Sequence, residues 1–431
     1  MHERARYFAT EAWTGGVIGL GYVGLPLAVT MVRRGLPVIG FDVSAERIER
    51  LERAISPIED VTDDELAEAL ASGLTLTADP GRLTGADALF LCVPSPLGRH
   101  REPDMSYIEA AAATVAAVIQ PGMLVALEST TYPGTTRDLL VPAVTSGGLE
   151  LDEDVFVAFS PERVNPGAEV KTGQIPKVVG GVTAVSTEVA AAAYARIVDS
   201  VFPVSSARVA EMAKLLENTY RAVNIALVNE MAQLAHHLDI DIWEVVDAAA
   251  SKPFGFQPFY PGPGVGGHCI PLDPQFLAWR AREANIATRF IDLAEQVNKG
   301  MPSYTVGRVA DLLNERRLPV AGSRILGVGI AYKPNIADDR ESASLDVLHL
   351  LQERGAEVAA LDPVVGAERI AAHGFEAVDD ADDLSRFDLA VVLTDHDVLD
   401  LEALAKSVPV ILDTRGAYRR QGIVADGVVA L

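Results

Sequence analysis

The stretch GGVIGLGYVGLPLAVTMVRRGLPVIGFDV, residues 15–43, decides the fold. An apolar run leads into a glycine turn and a helical pattern follows. Arg34 and Gly35 stop that helix, and a second apolar run ends on Asp42. Strand, turn, helix and strand in that order predict a βαβ unit, because a parallel partner strand needs a crossover to reach its place. Within the turn, Gly19, Gly21 and Gly24 have the G-x-G-x-x-G spacing. Alone that spacing is weak. Here it follows a strand and opens a helix, and Asp42 lies 18 residues after Gly24. An acid at that place accepts a hydrogen bond from a ribose 2′-hydroxyl and repels a 2′-phosphate, so NAD is expected rather than NADP. The bland alternative is a glycine turn with no ligand. Gly15 and Gly16, just ahead of the fingerprint, predict a short first strand.

The same plan recurs at residues 323–364, SRILGVGIAYKPNIADDRESASLDVLHLLQERGAEVAALDPV. Gly327 and Gly329 are present without a third glycine in register, and Asp362 ends the second strand. The loop YKPNIADDRES carries Lys333 and Arg340, so it either binds a nucleotide differently or is an ordinary solvated loop. Further apolar strands are expected at ADALFLCVP, GMLVALEST, DVFVAFSP, FDLAVVLTDH and VPVILDTR. Residues 206–237 have helical periodicity with no internal proline or glycine. At 1.5 Å per residue such a helix spans roughly 45 Å, a spine joining two α/β domains and a surface for dimerisation. The fold class expected is α/β: two Rossmann-like parallel-sheet domains joined by a central helical domain. The boundaries are read at 1–203, 204–305 and 306–431.

Composition narrows the function. A chain of 431 residues, 49% hydrophobic, can bury sizeable cores in two or three domains. A net charge of −24 argues against a nucleic-acid surface. An anionic ligand must therefore be met by local cations. Two cysteines, Cys92 and Cys269, argue against a disulfide framework and fit a reducing cytoplasm. The N-terminal residues lack the apolar core of a signal peptide. The apolar run 110–127 is broken by QPG at 120–122, so it reads as helix, turn and strand rather than a membrane span.

Cys92 lies inside an apolar strand and reads as a small core residue. Cys269 differs, because it ends PFYPGPGVGGHC, residues 258–269. With no second cysteine nearby, zinc is not expected there, nor a metal elsewhere. A buried filler and a nucleophile both remain open for it. A nucleophile needs positive surroundings to favour the thiolate. Asp273, four residues on, shares a face with Cys269 if a helix begins near there. On the spine, Lys214 and Asn218 are also four apart and share a face. They are either solvated or positioned to hold an oxyanion. His268 acquires no role.

GLGYVGLPLA, ESTTYPGTT, SPERVNPG, KLLENTYRAVNIALVNE, PGPGVGGHCIPLDP and GIAYKPNIADDRES occur in one order along the chain. As a set they resemble the UDP-glucose/GDP-mannose dehydrogenase family over nearly the whole sequence. SPERVNPG, KPFGFQPFYPGPGVGGHCIPLDP and TRFIDLAEQVN look most like its branch acting on UDP-N-acetylglucosamine. The resemblance implies a four-electron oxidation of a sugar C6 alcohol to a carboxylate, with two NAD consumed. Cys269 matches the family nucleophile, forming a thiohemiacetal and then a thioester. Lys214 and Asn218 match oxyanion-stabilising positions, Asp273 and Thr131 match positions that order water, and Glu162 matches the acid of the PE motif. Around the cofactor the matching positions are Gly19, Gly21, Tyr22, Val23, Gly24, Asp42, Arg47, Ser95, Thr131 and Arg340. Around the substrate, besides Glu162, Lys214 and Asn218, the resemblance implies Arg163, Lys252, Phe259, Tyr260, Gly264, Gly266, Lys333 and Arg415.

The glycines of 262–267 are expected to pack their backbone against the sugar and diphosphate. One α/β unit would hold NAD and the other UDP. The implied protein is a cytoplasmic homodimer, paired through its central helices, that makes surface-polysaccharide precursors. Two departures stand out. Pro166 occupies the place of a second glutamate found in the UDP-glucose branch, and Ser95 stands where threonine is frequent. UDP-N-acetylmannosamine, UDP-N-acetylgalactosamine and UDP-glucose remain alternative substrates. A two-electron β-hydroxyacid dehydrogenase shares the Lys…Asn pair but needs no Cys269. A non-catalytic nucleotide sensor needs none of these groups.

Overall fold

The computed structural model describes residues 1–58, 60–99, 101–163, 172–379 and 381–431. Two compact units form: Met1–Glu217 with Gln275–Ile286, and Asn218–Pro274 with Ala287–Leu431.

The first unit is built on eight described strands: β1 Gly15–Ile18, β2 Val38–Phe41, β3 Leu74–Thr77, β4 Ala88–Leu91, β5 Met123–Leu127, β6 Val155–Phe159, β7 Lys177–Gly181 and β8 Val201–Pro203. Their order is β3-β2-β1-β4-β5-β6-β7-β8. The first six positions reproduce the doubly wound order, whose crevice lies at the carboxyl ends of β1 and β4. Every residue of β1, β4, β5 and β6 is buried. Alternate residues feed two separate cores, Val17, Phe90 and Leu124 on one face and Ile18, Leu89 and Val125 on the other. That is why these strands read as continuous apolar runs. The run 110–127 resolves as expected into helix Ser106–Val118 and strand β5.

Two details refine the sheet. The first strand is four residues long, as are β2 and β4, and both glycines lie inside it. A Cβ on Gly15 would stand 2.1 Å from Met31 Cε. Gly15 therefore leaves room for the Met31 side chain of helix Gly24–Arg33. The sheet is also not wholly parallel, since β7 runs antiparallel to β6, pairing Ala158 with Gly181 and Phe159 with Gly180. That reversal carries the first residue of β7 to the carboxyl end of the sheet.

In the second unit six described strands run parallel: β9 Arg324–Val328, β10 Glu357–Leu361, β11 Glu376–Ala377, β12 Leu389–Val392, β13 Ile411–Asp413 and β14 Val428–Ala430. Their order is β11-β10-β9-β12-β13-β14, the same winding again. The repeat seen in the sequence is thus a repeat of topology. Asp362, just past β10, is 3% exposed and accepts hydrogen bonds from the amides of Ile330, Ala331, Val364 and Val365. Burial pushes its carboxyl up. A hydrogen bond with His396 and these amides more than offset that, so its pKa lies below the usual carboxylate value.

The spine helix is one element, Ala207–His237, and helix Arg289–Glu315 follows later. No described helix is long and apolar enough to cross a membrane.

Candidate active site

In the first unit the fingerprint turn is shaped by close contacts. Gly19 has φ +91°, and a Cβ on Gly24 would fall 1.8 Å from the Gly19 carbonyl oxygen. Only a bare backbone lets the helix start that near the strand. Asp42 is buried at the end of β2. Its Oδ2 accepts from the Leu20 amide at 3.0 Å and from Arg47 Nη1 at 3.2 Å, and its Oδ1 from the Ser44 amide at 2.9 Å. A carboxylate offers about four acceptor positions, so Oδ1 keeps capacity for a ribose hydroxyl. Tyr22 is exposed beside the turn, Val23 caps the helix, and Ser95 is half-buried in the loop after β4. The helix N-terminus and this bare turn fit a dinucleotide pyrophosphate.

A second group of side chains lies past β5 and β6. Thr131 is buried and its hydroxyl donates to Thr135 Oγ1 at 2.6 Å. Glu211, from the spine helix, anchors the following turn. It accepts from the amides of Gly134 and Thr136 at 2.6 and 2.9 Å and from the Thr136 hydroxyl at 2.6 Å. Burial raises the Glu211 pKa, and these hydrogen bonds oppose the rise. Glu162 accepts at Oε1 from the Arg163 amide at 2.7 Å and at Oε2 from Lys177 Nζ at 3.1 Å. Its carbonyl accepts from Lys214 Nζ at 2.7 Å, which leaves two of the three ammonium hydrogens available. The Arg163 guanidinium grips both oxygens of Glu217, at 3.2 and 2.7 Å. Lys177 reaches on to Glu128 at 2.5 Å, and the Tyr194 hydroxyl donates to the same carboxylate at 2.5 Å.

Within the second unit, Asn218 Nδ2 donates to Asp273 Oδ2 at 2.5 Å, with both residues buried. The Asp273 amide bonds the Cys269 carbonyl at 2.9 Å, closing a helical turn ahead of helix Asp273–Glu283. Cys269 is thus one turn before the helix, and it is exposed, whereas Cys92 is buried in the first core. Burial pushes the Cys92 thiol well up, as suits an inert filler.

The loop 262–267 packs against its own unit. The Gly262 amide donates to Asn229 Oδ1 at 3.1 Å, and Asn229 in turn bonds Asn298 at 3.0 Å. A Cβ on Gly266 would stand 2.7 Å from the Glu341 carbonyl oxygen, and one on Gly264 would stand 2.7 Å from Ala343 Cβ. The close approach that these glycines permit includes one to residues 332–343.

Arg415 lies against the same loop, its Nη1 2.7 Å from where a Gly262 Cβ would be, while its Nε donates to the Leu393 carbonyl. Desolvation pulls Arg415 down to about 10, which leaves it charged at neutral pH. Arg340 forks onto Asp338 at 2.8 and 2.6 Å, and Lys333 is half-buried in the loop after β9. Desolvation, with the nearby Arg340 charge, lowers the His268 pKa. Phe259 stacks edge-on with Tyr220 at 5.9 Å, the Tyr260 hydroxyl donates to Asp247, and Lys252 stands over the Phe254 ring. Pro166 lies outside the described residues. Among those described, no cluster of three His, Cys, Asp or Glu could hold a metal ion.

The structure thus joins Asn218 to Asp273, Lys214 and Arg163 to Glu162, and Arg47 to Asp42. Sequence reasoning missed Lys177, Glu128, Glu211 and Asn229. No local pattern marked them, because each acts through partners distant in the sequence.

Three profiles of one family match the chain: the UDP-glucose/GDP-mannose dehydrogenase family NAD binding domain over residues 15–198, its central domain over 208–300, and its UDP binding domain over 326–420. A UDP-N-acetyl-D-glucosamine 6-dehydrogenase of Pseudomonas aeruginosa is 38% identical over 355 residues, 82% of this chain and 83% of that protein. An NDP-N-acetyl-D-galactosaminuronic acid dehydrogenase of Ralstonia nicotianae is 35% identical over 426 residues, 96% of this chain and 98% of that protein. Among solved structures, a UDP-D-ManNAc dehydrogenase from Pyrococcus horikoshii superposes with a TM-score of 0.86 at 32% identity, covering 97% of this chain and 98% of that one.

Proposed function

Since the chain belongs to the UDP-glucose/GDP-mannose dehydrogenase family, with that family's NAD-binding and UDP-binding domains, we propose that it carries a UDP-N-acetylhexosamine, UDP-N-acetylglucosamine first, through a four-electron oxidation at C6. The single observation behind this reading is the group at Cys269: an exposed thiol one helical turn before Asp273, whose carboxylate is held by Asn218 at 2.5 Å.

The balance is fixed by chemistry. A primary alcohol and water give a carboxylate, two hydrides and three protons. NAD, when bound by the glycine turn and Asp42, supplies the hydride-accepting carbon for both oxidations. The protein's own groups do the rest. Glu162 takes up protons released as C6 is oxidised. Lys214 and Asn218 steady negative charge on the C6 oxygen. The Cys269 thiolate adds to the aldehyde carbon, which makes that carbon tetrahedral, with its remaining C–H beside an alkoxide able to leave as hydride, and keeps the intermediate covalently held. The second oxidation leaves a thioester. Asp273 and Thr131 order the water that cleaves it, and the thiol leaves as thiolate. Lys333 and Arg415 bring positive charge to an anionic diphosphate on a chain of net charge −24.

The choice of sugar is tested by NADH production from a panel of UDP-sugars. The highest kcat/KM is expected with UDP-N-acetylglucosamine, ahead of the manno and galacto isomers. A highest rate with UDP-glucose contradicts the acetamido assignment.

The reading includes a dimer. Leu227 and Leu234 on the spine helix and Leu238 just past its end are 56, 51 and 58% exposed, and they border an apolar groove shared with Met231, Val245 and Phe256. An exposed apolar stripe of this kind calls for a partner, and a second copy of this chain offers the same apolar stripe. Sedimentation is expected to give twice the chain mass, with Leu234→Glu shifting it to the monomer. A wild-type monomer contradicts the dimer.

A further inference from the structure

We infer that Lys177 is a positioning residue for Glu162: one buried ammonium, shared with Glu128, fixes where the Glu162 carboxylate sits and in which charge state it works. The inference rests on the proposed reaction, in which Glu162 takes up protons at C6.

The antiparallel strand is the device that builds this pair. The β6–β7 register joins Phe159 to Gly180, and continuing it by three residues sets Glu162 opposite Lys177. A parallel β7 would have put Lys177 at the other end of the sheet. The side chains of Lys177, Glu128 and Glu162 are 4, 0 and 14% exposed. Lys177 Nζ stands 2.5 Å from Glu128 and 3.1 Å from Glu162. Two carboxylates therefore share this cation in a largely buried site. Burial of that kind is costly, and it is tolerated only when each charge keeps its partner.

The Tyr194 hydroxyl donates to Glu128, and Cys92 lies near the same carboxylate. Lys214 meets Glu162 through its backbone carbonyl, and Arg163 through its own amide, while the Arg163 guanidinium is committed to Glu217. Lys177 thus meets the Glu162 carboxylate through its side chain. Burial pushes the Glu128 carboxyl up and Lys177 holds it back. Desolvation works against the Lys177 charge, and the two carboxylates outweigh it, so Lys177 stays protonated.

Opposite shifts follow for the two partners. Without Lys177, two carboxylates face each other and one keeps a proton to higher pH. Without the Glu128 charge, Lys177 serves Glu162 alone, and Glu162 ionises at lower pH. A role in packing alone gives no such pair of opposite shifts.

The experiment is the pH profile of kcat/KM for wild type, K177M, K177R, E128Q and E162Q, with UDP-N-acetylglucosamine and NAD. The acidic limb is expected to move up by about one pH unit in K177M and down in E128Q, with K177R restoring the wild-type limb. K177M is expected to lose roughly tenfold to a hundredfold in kcat with little change in KM. Unmoved limbs in K177M and E128Q, with E162Q impaired, overturn this inference and leave the reaction standing. An E162Q protein as active as wild type overturns the role of Glu162 and this inference with it. Should K177M fail to fold, an unmoved limb in E128Q suffices to overturn it.

Discussion

Cys269→Ser is expected to lower steady-state oxidation of the UDP-sugar by roughly 1,000-fold or more, the scale on which covalent catalysis fails when its nucleophile is replaced. A single turnover of the variant should release at most one NADH per active site. The reason lies in the aldehyde formed by the first oxidation. Its carbon must gain a substituent before a second hydride can leave, and a serine hydroxyl, unlike a thiol, is scarcely ionised near neutral pH. Cys269→Ala should behave alike or worse. Neither substitution is expected to unfold the protein, because the side chain is exposed and packs in no core. A serine variant turning over at the wild-type rate would remove the thiol from the mechanism and favour a two-electron hydroxyacid dehydrogenase.

The second large effect separates two glycines of one turn. Around a Cβ built on Gly21 nothing lies within 4 Å, whereas on Gly24 that atom would collide with the Gly19 carbonyl. Gly21→Ala should therefore fold with stability within about 0.5 kcal/mol of wild type, as surface changes usually do. It should nevertheless weaken NAD by about 100-fold, because the space it fills is where a pyrophosphate lies against the backbone. Gly24→Ala should lose both cofactor affinity and thermal stability. Calorimetric titration with NAD and a thermal melt on each variant check this. A Gly21→Ala protein that binds NAD normally would place the cofactor elsewhere.

The two glycines also show what the sequence made legible. A fingerprint is local, since its turn, helix start and closing acid fall within 28 residues, and periodicity reveals each part. The two βαβ units and the spine could be read for the same reason, and the repeated strand order followed from them. Lys177 could not be read in this way. Its partner Glu128 is 49 residues away, and its position depends on a strand reversal that no local propensity marks. Asn218 and Asp273 were each marked by four-residue spacing, yet their hydrogen bond spans 55 residues and only the fold displays it. The glycine loop's composition pointed to a ligand; the fold adds that Glu341 and Ala343 approach its bare backbone closely.

The most direct test of the account is stoichiometry. Wild-type protein given limiting UDP-N-acetylglucosamine, excess NAD and an aldehyde trap should form two NADH for each UDP-sugar consumed, with a uronic acid product and no trapped aldehyde. One NADH per UDP-sugar, with the aldehyde accumulating, would contradict the four-electron mechanism and the covalent role of Cys269.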